Sequence, residues 1–378
     1  MIKLLIAGDL VFSKSVSSIE KSSYDTYFNE IKNIIDGCNY SIVNLESPII
    51  KKNPTPINKL GPNLKADAKI VDLIKFLGFK GVTLANNHFY DQGNNGVIDT
   101  INECKKNSID YFGAGINLLE AERTHYLSIN GKKIAIINCC EIEFSIANEK
   151  HGGSNPLEPI SQYYAIKEAK INADYVIVIV HGGIENFQYP TIRMQQTYRF
   201  FVDVGANAVI NHHQHCFSGY ETYKGAYIIY GTGNFFFPKP NYYNTPWNIG
   251  YIVLLTLNEQ VGLQIYPYNQ CSSEFKIELL NGKSKIDFEK KLKTINSIIK
   301  NREGLIQKNR EFMNNSLQTY DWIFQPYENK YLKALAAKGV IPKFISQNKL
   351  DEVMSIINCS SHFDRFNFYL HSKTSKDI

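Results

Sequence analysis

Six apolar runs in the first 234 residues each stop at a polar cluster, and this punctuation constrains the fold more than any other feature of the chain. Residues 2–7 stop at Gly8-Asp9, 41–43 at Asn44-Leu45-Glu46, and 82–84 at Asn86-Asn87-His88. Residues 175–180 stop at His181, 208–210 at Asn211-His212-His213-Gln214-His215, and 227–230 at Gly231-Thr232-Gly233-Asn234. Unbroken apolar runs of this length are what strands buried on both faces look like. Between them lie helix-periodic segments at 24–35, 67–77, 96–106 and 191–204. The first carries Tyr27, Phe28, Ile31, Ile34 and Ile35 on one face, and Gly78 stops the second. Strands alternating with helices predict an α/β layered sandwich, in which ligands bind beyond the carboxyl ends of the strands. Taken singly, each cluster has a bland reading. Gly8-Asp9 could begin a turn, Asn86-Asn87 could cap a helix, Glu46 before Ser47-Pro48 could be solvated, and His181 before Gly182-Gly183 could be a tight turn. Six polar strand ends together predict one shared site.

At 378 residues the chain is long enough for one large domain plus an appendage, or for two domains. Near Asn269 the character changes, which suggests an α/β domain over 1–270 and a helical extension over 285–378. Residues 286–313 read as one long helix, with shorter ones around 331–337 and 350–357 and a polar, fraying tail over 372–378. In the extension, Trp322, Phe324 and Tyr327 could stack on a sugar or fill a core, and His362 and His371 stand isolated. The net charge of +5 is spread along the length, so nucleic-acid binding gains no support from it. The seven cysteines include no CxxC pair, which favours buried thiols in a reducing compartment over a structural zinc site. The first apolar run is too short for a secretory signal and ends in an acid, and no later run approaches a membrane span. The expectation is a soluble, cytoplasmic protein whose oligomeric state the sequence does not specify.

The strand-end residues restrict the chemistry. Three histidines in four positions, 212 to 215, are unusual for structural imidazoles. On an extended chain His213 and His215 would point to one side and His212 away from them. Carboxylate, amide oxygen and imidazole form a donor set without thiolate, which suits Mn, Fe, Zn or Mg. A carboxylate can bridge two such ions and clamp the attacking and leaving oxygens of a displacement. His88 follows Asn87 directly, so it could protonate a leaving group while Asn87 binds metal.

The same motifs, in this order, resemble the CapA family of capsule and poly-γ-glutamate synthesis proteins. They include Asn44-Leu45-Glu46-Ser47-Pro48, Leu84-Ala85-Asn86-Asn87-His88 with Asp91 and Gly93, His181-Gly182-Gly183-Ile184-Glu185, and Tyr230-Gly231-Thr232-Gly233-Asn234-Phe235. That family is similar to calcineurin-like metallophosphoesterases, and the resemblance covers about residues 2–270. It implies a metallophosphoesterase-like four-layer α/β/β/α sandwich followed by the helical extension. It also implies that Asp9, Glu46, Asn87, His181, His213 and His215 hold one or two divalent ions, with Glu46 in the bridging position. His181 and His213 would serve the second ion and His215 the first. His88 would be the leaving-group acid. Glu185, His212 and Asn234 are assigned to substrate binding or to supporting the ligands. The pattern departs in four places: Val11 stands where the superfamily has a histidine, Glu46 where it has Asp, Gly182 where it has Trp, and Asn211 where it has Gly. The implied activity is metal-dependent hydrolysis of a phosphoester, or of an amide or other ester, by a metal-activated water. The substrate would be a small molecule or an anionic polymer in surface-polymer or polyglutamate metabolism. The alternative is an accessory protein that binds an anionic chain without turning it over.

Overall fold

Strand β1, Ile2–Leu10, runs through the middle of an eight-stranded sheet and is buried almost throughout. The computed structural model describes residues 1–11, 19–272, 274–321, 329–341, 346–359, 361–363, 365–366 and 370. To one side of β1 lie β2 (Tyr40–Leu45), β3 (Gly81–Thr83) and β4 (Asp110–Phe112), all parallel. To the other side lie β14 (Ile249–Leu257), β15 (Gly262–Gln270) and β16 (Ile277–Leu279), antiparallel in succession. The short β13 (Asn234–Phe236) pairs in parallel with the carboxyl end of β1.

The second sheet has six strands. Its parallel centre is β7 (Lys132–Cys140), β9 (Tyr175–His181), β10 (Ala208–His212) and β12 (Ala226–Ile229). Antiparallel β6 (His125–Ile129) and β11 (Tyr220–Tyr223) form its edges. A two-stranded pair, β5 (Ala114–Gly115) with β8 (Gly153–Ser154), lies beside them.

Alternation along the buried strands sets the layers. Leu5, Ala7, Val43 and Val82 face one apolar cluster, with Phe28, Ile31, Ile74 and Val97 from α1 (Tyr24–Asp36), α2 (Ile70–Leu77) and α3 (Gly93–Lys106). Leu4, Ile6 and Ile42 face the other cluster, with Ile136, Val178, Ile210 and Ile228 of the second sheet. The outer face of that sheet carries α5 (Pro159–Asn172) and α6 (Ile192–Val204), which bring Ile166, Ala169 and Phe201. A short α4 (Leu118–Ala121) sits beside β5. The order is α/β/β/α, as the resemblance implied.

Gly78 ends α2 with φ 84°, a left-handed stop that a residue without Cβ adopts at little cost. The helix expected over 286–313 is two helices, α7 (Gly282–Lys300) and α8 (Arg302–Asp321), separated where Asn301 takes extended backbone angles. Helix α7 buries Phe288, Leu292, Ile295 and Ile299 in the inter-sheet cluster, and Asn296 Oδ1 accepts from Tyr220 N at 2.7 Å. The chain divides into compact units 1–309 and 310–378. The second contains α9 (Lys330–Ala337), capped by Asn329, and α10 (Gln347–Asn358), capped by Ser346. Trp322, Phe324, Tyr327, His371 and the 372–378 tail lie outside the described residues.

Tyr198, Tyr230, Tyr251 and Tyr268 are among the largest fully buried side chains, so these aromatics fill the core. The cysteines are all free, and five are buried. Among the described residues, no helix is long and apolar enough to cross a membrane.

Candidate metal centre

The register of the strands brings the polar ends together. Asp9 pairs with Asn44 on β2 and with Asn234 on β13, while His181 on β9 pairs with His212 on β10. A register shift between Ala7 and Asp9 turns the end of β1 inward, as a bulge does. Gly8 makes this approach possible. A Cβ at Gly8 would lie 1.9 Å from the Gly233 carbonyl oxygen, which accepts from Asp9 N at 3.3 Å.

Asp9 is fully buried. Its Oδ1 accepts from Asn44 Nδ2 at 2.7 Å, and its Oδ2 accepts from His213 N at 3.3 Å. His212 Nδ1 stands 3.5 Å from Oδ1 and His215 Nδ1 stands 3.5 Å from Oδ2. His181 Nε2 lies 3.1 Å from Asn87 Oδ1, 3.1 Å from His213 Nδ1 and 3.8 Å from Glu46 Oε1. His215 Nε2 lies 3.6 Å from Glu46 Oε1.

Among the described residues, two groups of donors result: Glu46, His181 and His213, and Asp9, Glu46 and His215, each with its ligand atoms within 4.8 Å of one another. Glu46 belongs to both. Asn87 adds an amide oxygen beside the first group through its contact with His181.

The histidines converge by a route other than strand alternation. Strand β10 ends at His212, and His213 and His215 then take left-handed φ angles of 94° and 55°. The turn, not an extended chain, brings their ring centroids to 6.0 Å. His212, expected to point away, faces Asp9 from the strand end. Positive φ in non-glycine residues is costly and is held only where the surroundings fix it. Here Asn211 supplies part of the fixing, with its Nδ2 donating to the Gly182, His212 and Tyr230 carbonyls.

Asn234 orients His215. Its Nδ2 donates to the His215 and Trp247 carbonyls at 3.0 and 3.2 Å, which leaves Oδ1 to accept from His215 Nδ1 at 2.9 Å. The proton is thereby placed on Nδ1, and Nε2 is turned toward Glu46. Glu185 is exposed on the loop after β9 and lies outside both donor groups. Val11 is buried and offers no donor.

Burial alone would raise the Asp9 carboxyl, but His212, His215 and His181 overcome it and hold the group well below the usual carboxylate range. Glu46 goes the other way. Burial, with Asp9, Glu185 and Asp91 adding repulsion against the opposing pull of His215, pushes it up to about 8. Burial and neighbouring imidazoles hold His181 and His213 below the ordinary histidine value. Burial opposes the charged form of His215, but Glu46 and Asp9 outweigh it and push the group up to about 9.

A divalent cation fits these residues. Both Glu46 carboxylate oxygens and both His212 ring nitrogens are buried without a hydrogen-bond partner. Orphaned polar atoms are costly in an interior, and lone pairs converging from carboxylate and imidazole are what a borderline cation satisfies.

Beside this cluster, Asn86 shapes the turn that carries Asn87 and His88. Its Oδ1 accepts from His88 N at 3.1 Å and its Nδ2 donates to the Leu45 carbonyl at 3.0 Å. His88 Nδ1 meets Asp91 Oδ2 at 2.6 Å. Asn44, Asn86 and Lys59 were not among the sequence-derived site residues. The first two lay inside quoted motifs. Lys59 sits in a proline-flanked loop with no periodicity to single it out.

The family profile described as bacterial capsule synthesis protein PGA_cap matches residues 3–239. The chain belongs to that family. It is 30% identical to the capsule biosynthesis protein CapA of Bacillus anthracis over 245 residues, covering 62% of this chain and 60% of that one. It is 32% identical to the PGA biosynthesis protein CapA of Bacillus subtilis (strain 168) over 237 residues, covering 61% and 62%. The chain thus spans about three fifths of the length of these CapA relatives. Among solved structures, a phosphatase from Mycoplasma pneumoniae is 15% identical, with 74% of this chain and 92% of that one covered and a TM-score of 0.41. The PGA_cap match contains every residue of both donor groups.

Proposed function

We propose that this chain is a metal-dependent hydrolase, acting first on phosphoesters and alternatively on amides or other esters, within surface-polymer or polyglutamate metabolism. The observation that carries the reading is the sharing of buried Glu46 between two donor groups, with His88 on the adjoining turn. Asp9, Glu46 and His215 would hold one ion, and Glu46, Asn87, His181 and His213 the other. When bound, a divalent cation supplies a Lewis acid and lowers the pKa of a coordinated water.

The protein's own residues do the rest. Asn44 fixes the Asp9 carboxylate and Asn234 fixes the His215 ring, so ligand directions are set before any ion arrives. Asp91 bonds His88 at Nδ1, which leaves Nε2 as the nitrogen for a leaving group. An accessory role without turnover is the second reading. It is favoured by Val11, a buried apolar side chain where the superfamily has a histidine.

The test is metal analysis of purified protein after Mn or Zn supplementation, followed by a panel of p-nitrophenyl phosphate, bis-p-nitrophenyl phosphate and a γ-glutamyl amide. Bound metal with turnover of a panel member supports the hydrolase. Bound metal without turnover supports the accessory role, and no metal defeats both donor assignments.

A further inference from the structure

The loop over residues 50–66, between β2 and α2, reaches back to the site through one buried side chain. Most residues over 51–62 are exposed, with Leu60 at 86% relative exposure, yet the Lys59 side chain is only 3% exposed. Its Nζ pairs with Asp91 Oδ1 and lies 3.2 Å from His88 Nδ1. The Phe144 ring lies 5.8 Å from the same ammonium. The loop is stitched mainly to residues 91 and 92. Ile57 N donates to the Asp91 carbonyl at 3.1 Å, Leu64 N to Asp91 Oδ2 at 2.5 Å, and Thr55 Oγ1 to the Gln92 carbonyl at 2.6 Å.

The donor count around Asp91 settles where the protons sit. An ammonium has donors and no acceptor. If His88 Nδ1 lacked a proton, its lone pair would face the Asp91 Oδ2 lone pairs at 2.6 Å. With the proton on Nδ1, the imidazole donates to Asp91 Oδ2 while Lys59 forms an ion pair with Oδ1, and their 3.2 Å approach needs no bond between them. One carboxylate is then held at both oxygens, by Lys59 on Oδ1 and by His88 and Leu64 N on Oδ2.

We propose that Lys59 is a positioning residue for His88, acting through Asp91 to lock the imidazole in its Nδ1–H tautomer with Nε2 directed outward. Without Lys59, Asp91 would be held through Oδ2 alone, by His88 and Leu64 N. Lys59 supplies the hold on Oδ1. The 50–66 loop thereby becomes part of the reaction apparatus, although it contributes no metal donor. This inference rests on the hydrolase reading for its purpose but not for its test.

The test is long-range ¹H–¹⁵N correlation of the histidine rings in metal-stripped, full-length protein labelled at histidine, with His88 assigned by its loss in His88→Gln. The expected wild-type signature is a proton fixed on Nδ1. Lys59→Met should collapse the difference between the two His88 nitrogens toward a tautomer average, and Lys59→Arg should restore it. Metal content of folded Lys59→Met should equal that of the parent. Lys59→Gln replaces Lys59→Met if the latter does not fold. A wild-type proton on Nε2, an unchanged His88 signature in the folded neutral variant, or loss of metal from it would each overturn the proposal. Since none of these readouts needs turnover, an inactive parent would defeat the hydrolase reading and leave this inference decidable.

Discussion

His181 Nε2 and His213 Nδ1 stand 3.1 Å apart in the interior, and the same His181 nitrogen stands 3.1 Å from Asn87 Oδ1. One hydrogen on His181 can serve only one of these contacts, so the cluster holds more lone pairs than protons to share. That surplus is the donor capacity a cation would use. Accordingly, His213→Ala combined with His215→Ala should remove a donor from each group and cut metal content at least tenfold after Mn or Zn supplementation. Elemental analysis of the folded variant reads the result, and unchanged content would discard the assignment.

Glu46→Gln separates metal binding from folding. Glu46 is a buried carboxyl with both oxygens unpartnered, so the folded apo protein gains little from its charge. The variant should lose metal affinity while the apo protein melts at an equal or higher temperature, with about 1–2 °C expected for each kcal/mol in a chain of this length. Melting with and without a chelator tests both halves.

The apo protein should lose stability as pH rises from about 6 to 9.5. Folding pushes Glu46 up to about 8 and His215 up to about 9. Above their ordinary values the folded state therefore binds more protons than the unfolded state, and stability falls with pH until both have titrated. His181 and His213 act oppositely below pH 6.5, because burial holds them neutral. Metal binding must displace the Glu46 and His215 protons, so affinity should rise across the same window in which apo stability falls. Melting and metal titrations at several pH values would show the two trends crossing, and parallel trends would count against the donor set.

His88→Ala should cut the rate by about 10²–10⁴-fold, the range for a lost general acid, with metal content retained. Lost metal would place His88 among the supports of the cluster. Full activity would remove it from the chemistry.

Two truncations distinguish the helices after β16. A chain ending at Asn309 contains α7 and the first compact unit and should keep its metal. A chain ending at Asn281 lacks Phe288, Leu292, Ile295 and Ile299, which fill the inter-sheet cluster, and should not fold. Phe288→Ala alone should cost about 3–5 kcal/mol. Denaturant melts of the three proteins check the order.

The alternation of strands with helices and the polar strand ends were legible because doubly buried strands write unbroken apolar runs. Helix α5 left no such trace, since its buried face is only Gln162, Ile166 and Ala169. The break at Asn301 was hidden because periodicity resumes in the same polar composition on either side. Asp9, Glu46 and the histidines could be picked out by type and position. The left-handed turn at His213 could not, because no glycine marks it. Lys59 was invisible for a different reason: its partners, His88 and Asp91, are close in space but lie 29 and 32 positions away.

The pairing of Asp9 with Asn234 also fixes a sequence of events during synthesis. Asp9 is made 225 positions before its strand partner on β13, Asn234. Glu46 and Asn87 also precede the imidazoles: His181 ends the third strand of the second sheet to be made, and His213 and His215 follow the fourth. A nascent chain therefore exposes acidic and amide donors long before it has the imidazoles that complete either group. Neither donor group is complete before His213 and His215 are made, so an ion that needs a full group can be held only after that point in synthesis.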